Sequence, residues 1–192
     1  IFLSTVDVYG LVSVSNLINE KLLPNPNDYY ALSKLSSEFI LRKTCNKSNI
    51  PILILRLSGV YGNQGQNTVN KLIEAVVRDK EIIIYGDGKD KRDFVYVDDI
   101  CNIIKKAMER RVSTTLNIAT GKSYSINEIV EVIKSCYPEK FVVKHKPREF
   151  FFEERVKDMV YDVSLITRTF PDIKFKDIRE GISLCLSEYH EK

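Results

Sequence analysis

The stretch PILILRLS, residues 51–58, decides the fold. It is a nearly continuous run of Ile and Leu with no polar alternation, the pattern of a strand covered on both faces, as in parallel sheets. Upstream, IFLST at residues 1–5 is a second short apolar run that leads into a turn-like VDVYG. Between them, PNPND at residues 24–28 is a Pro/Asn loop ending in Asp28, a predicted helix N-cap. Leu32, Leu35, Phe39 and Ile40 then recur at helical spacing, which predicts an amphipathic helix from residue 29 to about 43. Strand, helix and strand in that order make a βαβ unit and an α/β fold.

Working outward, the pattern predicts a helix over 69–77 and a strand over 81–85 ended by Gly86-Asp87-Gly88. A short strand follows at 94–97, then a helix at 100–110 capped by Asp98 or Asp99, then a strand at 116–119. Ser125 and Glu128 have capping-box spacing and open a helix to about Cys136. Residues 142–144 alternate like an edge strand, and 164–170 and 177–189 read as helices. There are no repeats and no flexible linker, so any two lobes are interleaved.

Lys and Arg total 29 against 26 for Asp and Glu, a net charge of +3, which is too small an excess for a dedicated nucleic-acid binder. No apolar run is long enough to cross a bilayer and no signal pattern opens the chain, so a cytoplasmic protein without a membrane partner is expected. Cys45, Cys101, Cys136 and Cys185 are far apart with no CxxC pair, which points to reduced thiols and no metal site. The chain opens with Ile1 inside a core-strand pattern, so it reads as a piece of a longer protein.

The residues that carry chemistry come in order: Ser4-Thr5 at the end of a strand, Tyr30-x-x-x-Lys34 on the next helix, and a second strand reaching Arg56. Residues four apart on a helix stack on one face. A phenol with a reference pKa near 10 is a poor base at neutral pH, and a neighbouring ammonium favours its phenolate. Tyr30 is therefore expected to shuttle the proton of an alcohol being oxidised, with Thr5 holding the same oxygen. The hydride acceptor has to be a cofactor. A lone YxxxK is more often a solvated surface pair, and its placement between two buried strands is what gives it weight here.

The blocks FLSTVDVYG, YALSK, RLSGVYG, IYGDGKDKRDFVYVDDI, LNIATG and RVKD resemble the extended short-chain dehydrogenase/reductases, the NAD-dependent epimerases and dehydratases of nucleotide sugars, from Ile1 to about Tyr189. The resemblance implies the C-terminal part of a Rossmann-type doubly wound parallel sheet with an interleaved smaller α/β lobe. Residues 1–62 and 98–120 would belong to the NAD(P)-binding domain, and 63–97 and 121–192 to the nucleotide-sugar lobe. It also implies catalytic roles for Thr5, Tyr30 and Lys34, with Tyr30, Lys34, Leu57 and Ser58 at the cofactor. Arg92 and Arg155 would grip the diphosphate, which suits a forked guanidinium. Asp158 would touch the ribose, Tyr85 would lie near the base, and Asn67 would line the nucleotide. A nucleotide-sugar substrate, NAD or NADP, and a homodimer formed through the YxxxK helix complete the expectation.

The chain also departs from the family pattern. Dehydratases tend to have Asp-Glu after the catalytic Thr, whereas this chain has Val6-Asp7. Asp7 could serve as one catalytic acid or base, but Val6 cannot, which lowers the 4,6-dehydratase reading and favours a 4-epimerase or a simple keto/hydroxyl oxidoreductase, with a decarboxylase or a 4-keto reductase as further alternatives. Gly59 stands where the family often has a diphosphate-binding Asn. The Gly-rich dinucleotide turn is absent, so the polypeptide by itself is expected to be inactive. A non-catalytic scaffold with the same fold is the competing class, and the intact Thr5, Tyr30 and Lys34 argue against it.

Overall fold

The computed structural model describes residues 1–12, 17–62, 65–147 and 158–190. The chain starts with β1 (Phe2–Thr5), turns through a 3-10 helix at Val6–Tyr9, and reaches α1 (Tyr29–Lys47). Asp28 caps α1 as expected, its carboxylate accepting from Ala31 N at 2.7 Å. The apolar run supplies β2 (Leu53–Leu57), and after Ser58 the chain continues into β3 (Gly59–Tyr61) and α2 (Thr68–Asp79). Next come β4 (Glu81–Tyr85), β5 (Lys91–Tyr96), α3 (Val97–Arg110) and β6 (Thr114–Ile118). The chain then forms β7 (Ser123–Ser125), α4 (Ile126–Cys136), β8 (Val142–Lys146), α5 (Ser164–Thr169) and α6 (Ile178–His190).

β1, β2 and β6 form a parallel sheet with β2 in the middle, and helices cover both faces in a Rossmann-type α/β arrangement. Side chains alternate between faces along a strand, so the register assigns each row to one face. Leu53, Leu55, Leu116 and Ile118 pack with Ile100, Ile103 and Ala107 of α3 and with Ile166 and Phe170. Ser4, Arg56 and Asn117 are cross-strand neighbours in a polar row that bonds to Glu38 of α1 and to Tyr9. A second core joins α2, α4 and α6 over β4 and the β3–β5–β7 sheet, where β3 and β5 are parallel and β5 and β7 antiparallel. β4 and β8 pair in parallel as a separate two-stranded sheet.

Two expectations need correction. Asp98 and Asp99 do not cap α3: β5 runs straight into the helix at Tyr96, which leaves both acids in the first turn. Asp99 is instead buried and accepts from the Lys176 ammonium at 3.0 Å. Nor is α1 amphipathic in the expected sense. Leu32, Phe39 and Ile40 are 49%, 62% and 60% exposed, while the buried positions of the helix are Ala31 and Glu38. Helical spacing marks a face without saying what covers it.

Candidate active site

The three parallel strands end together. Thr5, Leu57 and Ile118 are partners in the last cross-strand row, and in open α/β sheets ligands bind beyond these carboxyl ends. A cavity of about 460 Å³ opens there. Thr5 and Asp7 form one wall, Leu57, Ser58 and Gly59 another, and Asn67 and Lys71 reach it from the start of α2. Arg92 of β5 lines it, as do Met159 and Tyr161. Six residues singled out in the sequence, Thr5, Asp7, Leu57, Ser58, Asn67 and Arg92, therefore share one cavity.

Thr5 ends β1 and caps the 3-10 turn. Its Oγ1 accepts from Asp7 N at 3.2 Å and donates to Asp7 Oδ2 at 2.9 Å. A hydroxyl has one proton to donate and two lone pairs, so the proton of Thr5 is committed and one lone pair remains. Tyr30, in the first turn of α1, lies near enough to Thr5 for that side chain to act on its phenol. Lys34 lies one turn further on, its ammonium 5.8 Å from the centre of the Tyr30 ring and donating to Leu3 O at 3.1 Å. Residues 5, 30 and 34 thus lie along one strand, Tyr30 near Thr5 and Lys34 at Leu3 and Phe2, but Tyr30, 55% exposed, and Lys34 are not among the residues that line the cavity.

Their electrostatics differ from expectation. In the chain itself Tyr30 is held above the ordinary tyrosine range, first by burial and then by the Asp7 carboxylate. Thr5 works the other way, and Asp28 adds to the rise. The expected acidification by Lys34 is not among the causes: its ammonium donates to the Leu3 carbonyl, and the carboxylates of Asp7 and Asp28 act on the phenol instead.

Other positions divide. Ser58 is buried, and its Oγ has no hydrogen-bond partner among the described residues, although the residue lines the cavity. A buried hydroxyl of this kind calls for a partner. Asn67 lines the cavity but also caps α2, with Oδ1 accepting from Asn70 N at 3.1 Å. The guanidinium of Arg92 donates to Lys91 O at 2.6 Å. A Cβ on Gly59 would lie 2.7 Å from Phe94 Cδ1 and 2.9 Å from Asp93 O, so β3 approaches β5 too closely for an Asn there. Burial pushes the carboxyl of Asp93, behind this wall, up to about 6, against hydrogen bonds from Thr120 and Gly121.

Tyr85 is 56% exposed at the end of β4 and does not line the cavity. Asp158 also stays off the wall: it pairs with Lys91 in an isolated bridge and accepts from Ser123 Oγ at 2.5 Å. Arg155 lies outside the described residues. Lys71, Met159 and Tyr161 line the cavity without having been singled out in the sequence. Lys71 sits four residues after Asn67 on α2, a spacing that could have flagged it. Met159 and Tyr161 arrive from a distant segment with no local signal.

The family model described as NAD dependent epimerase/dehydratase family matches residues 1–119. The chain is 30% identical to the GDP-6-deoxy-D-talose 4-dehydrogenase of Aggregatibacter actinomycetemcomitans, over 92% of the chain and 60% of that protein. It is 28% identical to the dTDP-glucose 4,6-dehydratase of Xanthomonas campestris, over 76% of the chain and 41% of that protein. The crystal structure of UDP-glucuronic acid 4-epimerase from Bacillus cereus in complex with UDP-glucuronic acid and NAD superposes with a TM-score of 0.84 at 26% identity, over 98% of the chain and 60% of the other. The chain spans about half the length of the curated relatives it matches.

Proposed function

This chain belongs to the NAD dependent epimerase/dehydratase family, and from that membership we infer that it carries the proton-handling part of a longer enzyme that epimerises a nucleotide sugar through a 4-keto intermediate. One observation carries the reading. Thr5, with Tyr30 beside it on α1, ends its strand on a cavity whose other walls bring Arg92 and Asn67.

In this reading Tyr30, whose phenolate the positively charged nicotinamide would favour once the cofactor is bound, would take the proton of the sugar's 4-hydroxyl and later return it. Thr5, its own proton committed to Asp7, meets that hydroxyl as an acceptor. Arg92 binds the substrate diphosphate, a charge-assisted contact suited to a guanidinium; Arg155 would be its companion, with Asp158 at the ribose, Asn67 along the nucleotide and Tyr85 towards the base. NAD, or NADP, when bound would supply the hydride acceptor and donor. Leu57, Ser58, Tyr30 and Lys34 would hold it, and the unpartnered Ser58 hydroxyl suits a polar group at that wall. The cavity wall would hold the nucleotide while the 4-keto sugar turned over to present its other face.

The β1–β2–β6 side, residues 1–62 and 98–120, would then serve the cofactor, and 63–97 with 121–192 the nucleotide sugar. The exposed Phe39 and Ile40 of α1 support a second subunit against that helix. A 4,6-dehydratase is the second reading, because the Asp7 carboxylate faces the cavity and could take a C5 proton, although Val6 offers no acid for the departing hydroxyl.

Incubating the complete gene product with UDP-, dTDP-, GDP- and CDP-sugars and resolving the products tests the reading. Epimerised sugar with no net NADH is the expected result. Stoichiometric release of NADH, or a product lacking the elements of water, would count against a closed epimerase cycle.

A further inference from the structure

We propose that Glu38 and Arg56 are positioning residues, a buried fork that fixes the rotation and height of α1 so that Tyr30 meets Thr5. The inference rests on the reading above only for its turnover arm.

Glu38 follows Tyr30 by eight residues and Lys34 by four, so all three share one face of α1. Its side chain is 2% exposed and that of Arg56 6%. Glu38 Oε1 accepts from Ser4 Oγ at 2.6 Å and from Arg56 Nε at 3.0 Å, while Oε2 accepts from Arg56 Nη2 at 2.7 Å. The third guanidinium nitrogen, Nη1, donates to the Tyr9 hydroxyl at 3.0 Å, which in turn donates to Asn117 Oδ1 at 2.8 Å. Both carboxylate oxygens and all three guanidinium nitrogens are thus used. The network ties α1 to β1, β2, β6 and the 3-10 turn.

Two further observations separate positioning from simple stabilisation. Buried ion pairs are poor stabilisers, since well-packed apolar side chains usually do as well in their place. A guanidinium–carboxylate fork is directional, however, and apolar contact is not. The partners also lie next to the site. Ser4 precedes Thr5, Arg56 precedes Leu57, and Tyr9 ends the turn that carries Asp7. Meanwhile Leu32, Phe39 and Ile40 of α1 are exposed, and the apolar seating of the helix is confined to the small Ala31 and the partly buried Leu35.

The test compares the complete gene product with the paired variant Glu38→Leu/Arg56→Leu and with Glu38→Gln. The main readout is the titration of Tyr30, isolated as the phenolate absorbance difference between each protein and its own Tyr30→Phe counterpart. Asp7, Asp28 and Lys34 face that phenol, and burial with Asp7 holds it high in the docked helix. The paired variant is expected to fold, to lower the Tyr30 midpoint towards that of an ordinary tyrosine, and to lose about tenfold or more in kcat with KM little changed. A folded pair with an unmoved midpoint overturns the proposal. Should the pair fail to fold, Glu38→Gln decides: a smaller fall in midpoint supports positioning, and no fall overturns it. The midpoint is read without substrate or cofactor. A shift without any turnover in the parent protein therefore supports positioning and counts only against the proposed reaction.

Discussion

The two faces of the β1–β2–β6 sheet are held in opposite ways. On one, Leu53, Leu55, Leu116 and Ile118 meet Ile100, Ile103, Ile166 and Phe170 in an apolar layer. On the other, Ser4, Arg56 and Asn117 meet Glu38 and Tyr9 through hydrogen bonds and an ion pair. Apolar burial stabilises without regard to direction, whereas a satisfied polar network specifies one arrangement at little net gain. The face that carries Tyr30 and Lys34 is the one held directionally.

Single and paired substitutions break this comparison most sharply. Glu38→Ala strands the Arg56 guanidinium in the interior and should cost about 3–5 kcal/mol of unfolding free energy in denaturant titration. Leu116→Ala on the apolar face removes a fully buried side chain and should cost about 3 kcal/mol, through lost burial and a cavity. The contrast lies in the rescue: a larger apolar neighbour can recover part of the Leu116 loss, while only removal of Arg56 relieves the Glu38 loss. Arg42 bonds Thr115 and lies 3.8 Å from Glu38, but its side chain is 42% exposed. Arg42→Met should therefore cost less than about 1 kcal/mol. A loss as large as that of Glu38→Ala would mean that the polar face owes its strength to its rim.

The sequence was most legible where a signal was local. PILILRLS gave the central strand, Asp28 the start of α1, and the Ser125–Glu128 box the start of α4, because each pattern acts within one turn or strand. The proximity of Thr5, Tyr30 and Lys34 was legible through order and spacing. Glu38 was not, since a glutamate on a helix reads as surface until the strand row it caps is known. Asp99 misled for the same reason: its partner Lys176 is 77 residues away. The apolar spacing of α1 suggested a buried stripe, yet its buried side is Ala31 and Glu38. Partial desolvation of the half-exposed Tyr30 beside Asp7 reversed a shift that the Lys34 spacing alone predicted, because desolvation and charge depend on what the fold brings near.

The most direct measurement is Tyr30→Phe in the complete gene product, with nucleotide-sugar binding and turnover read on the same preparation. Loss of a proton-transferring phenol predicts turnover reduced by about a hundredfold or more with binding retained. Turnover close to that of the parent protein, with the hydroxyl gone, would contradict a proton shuttle at residue 30.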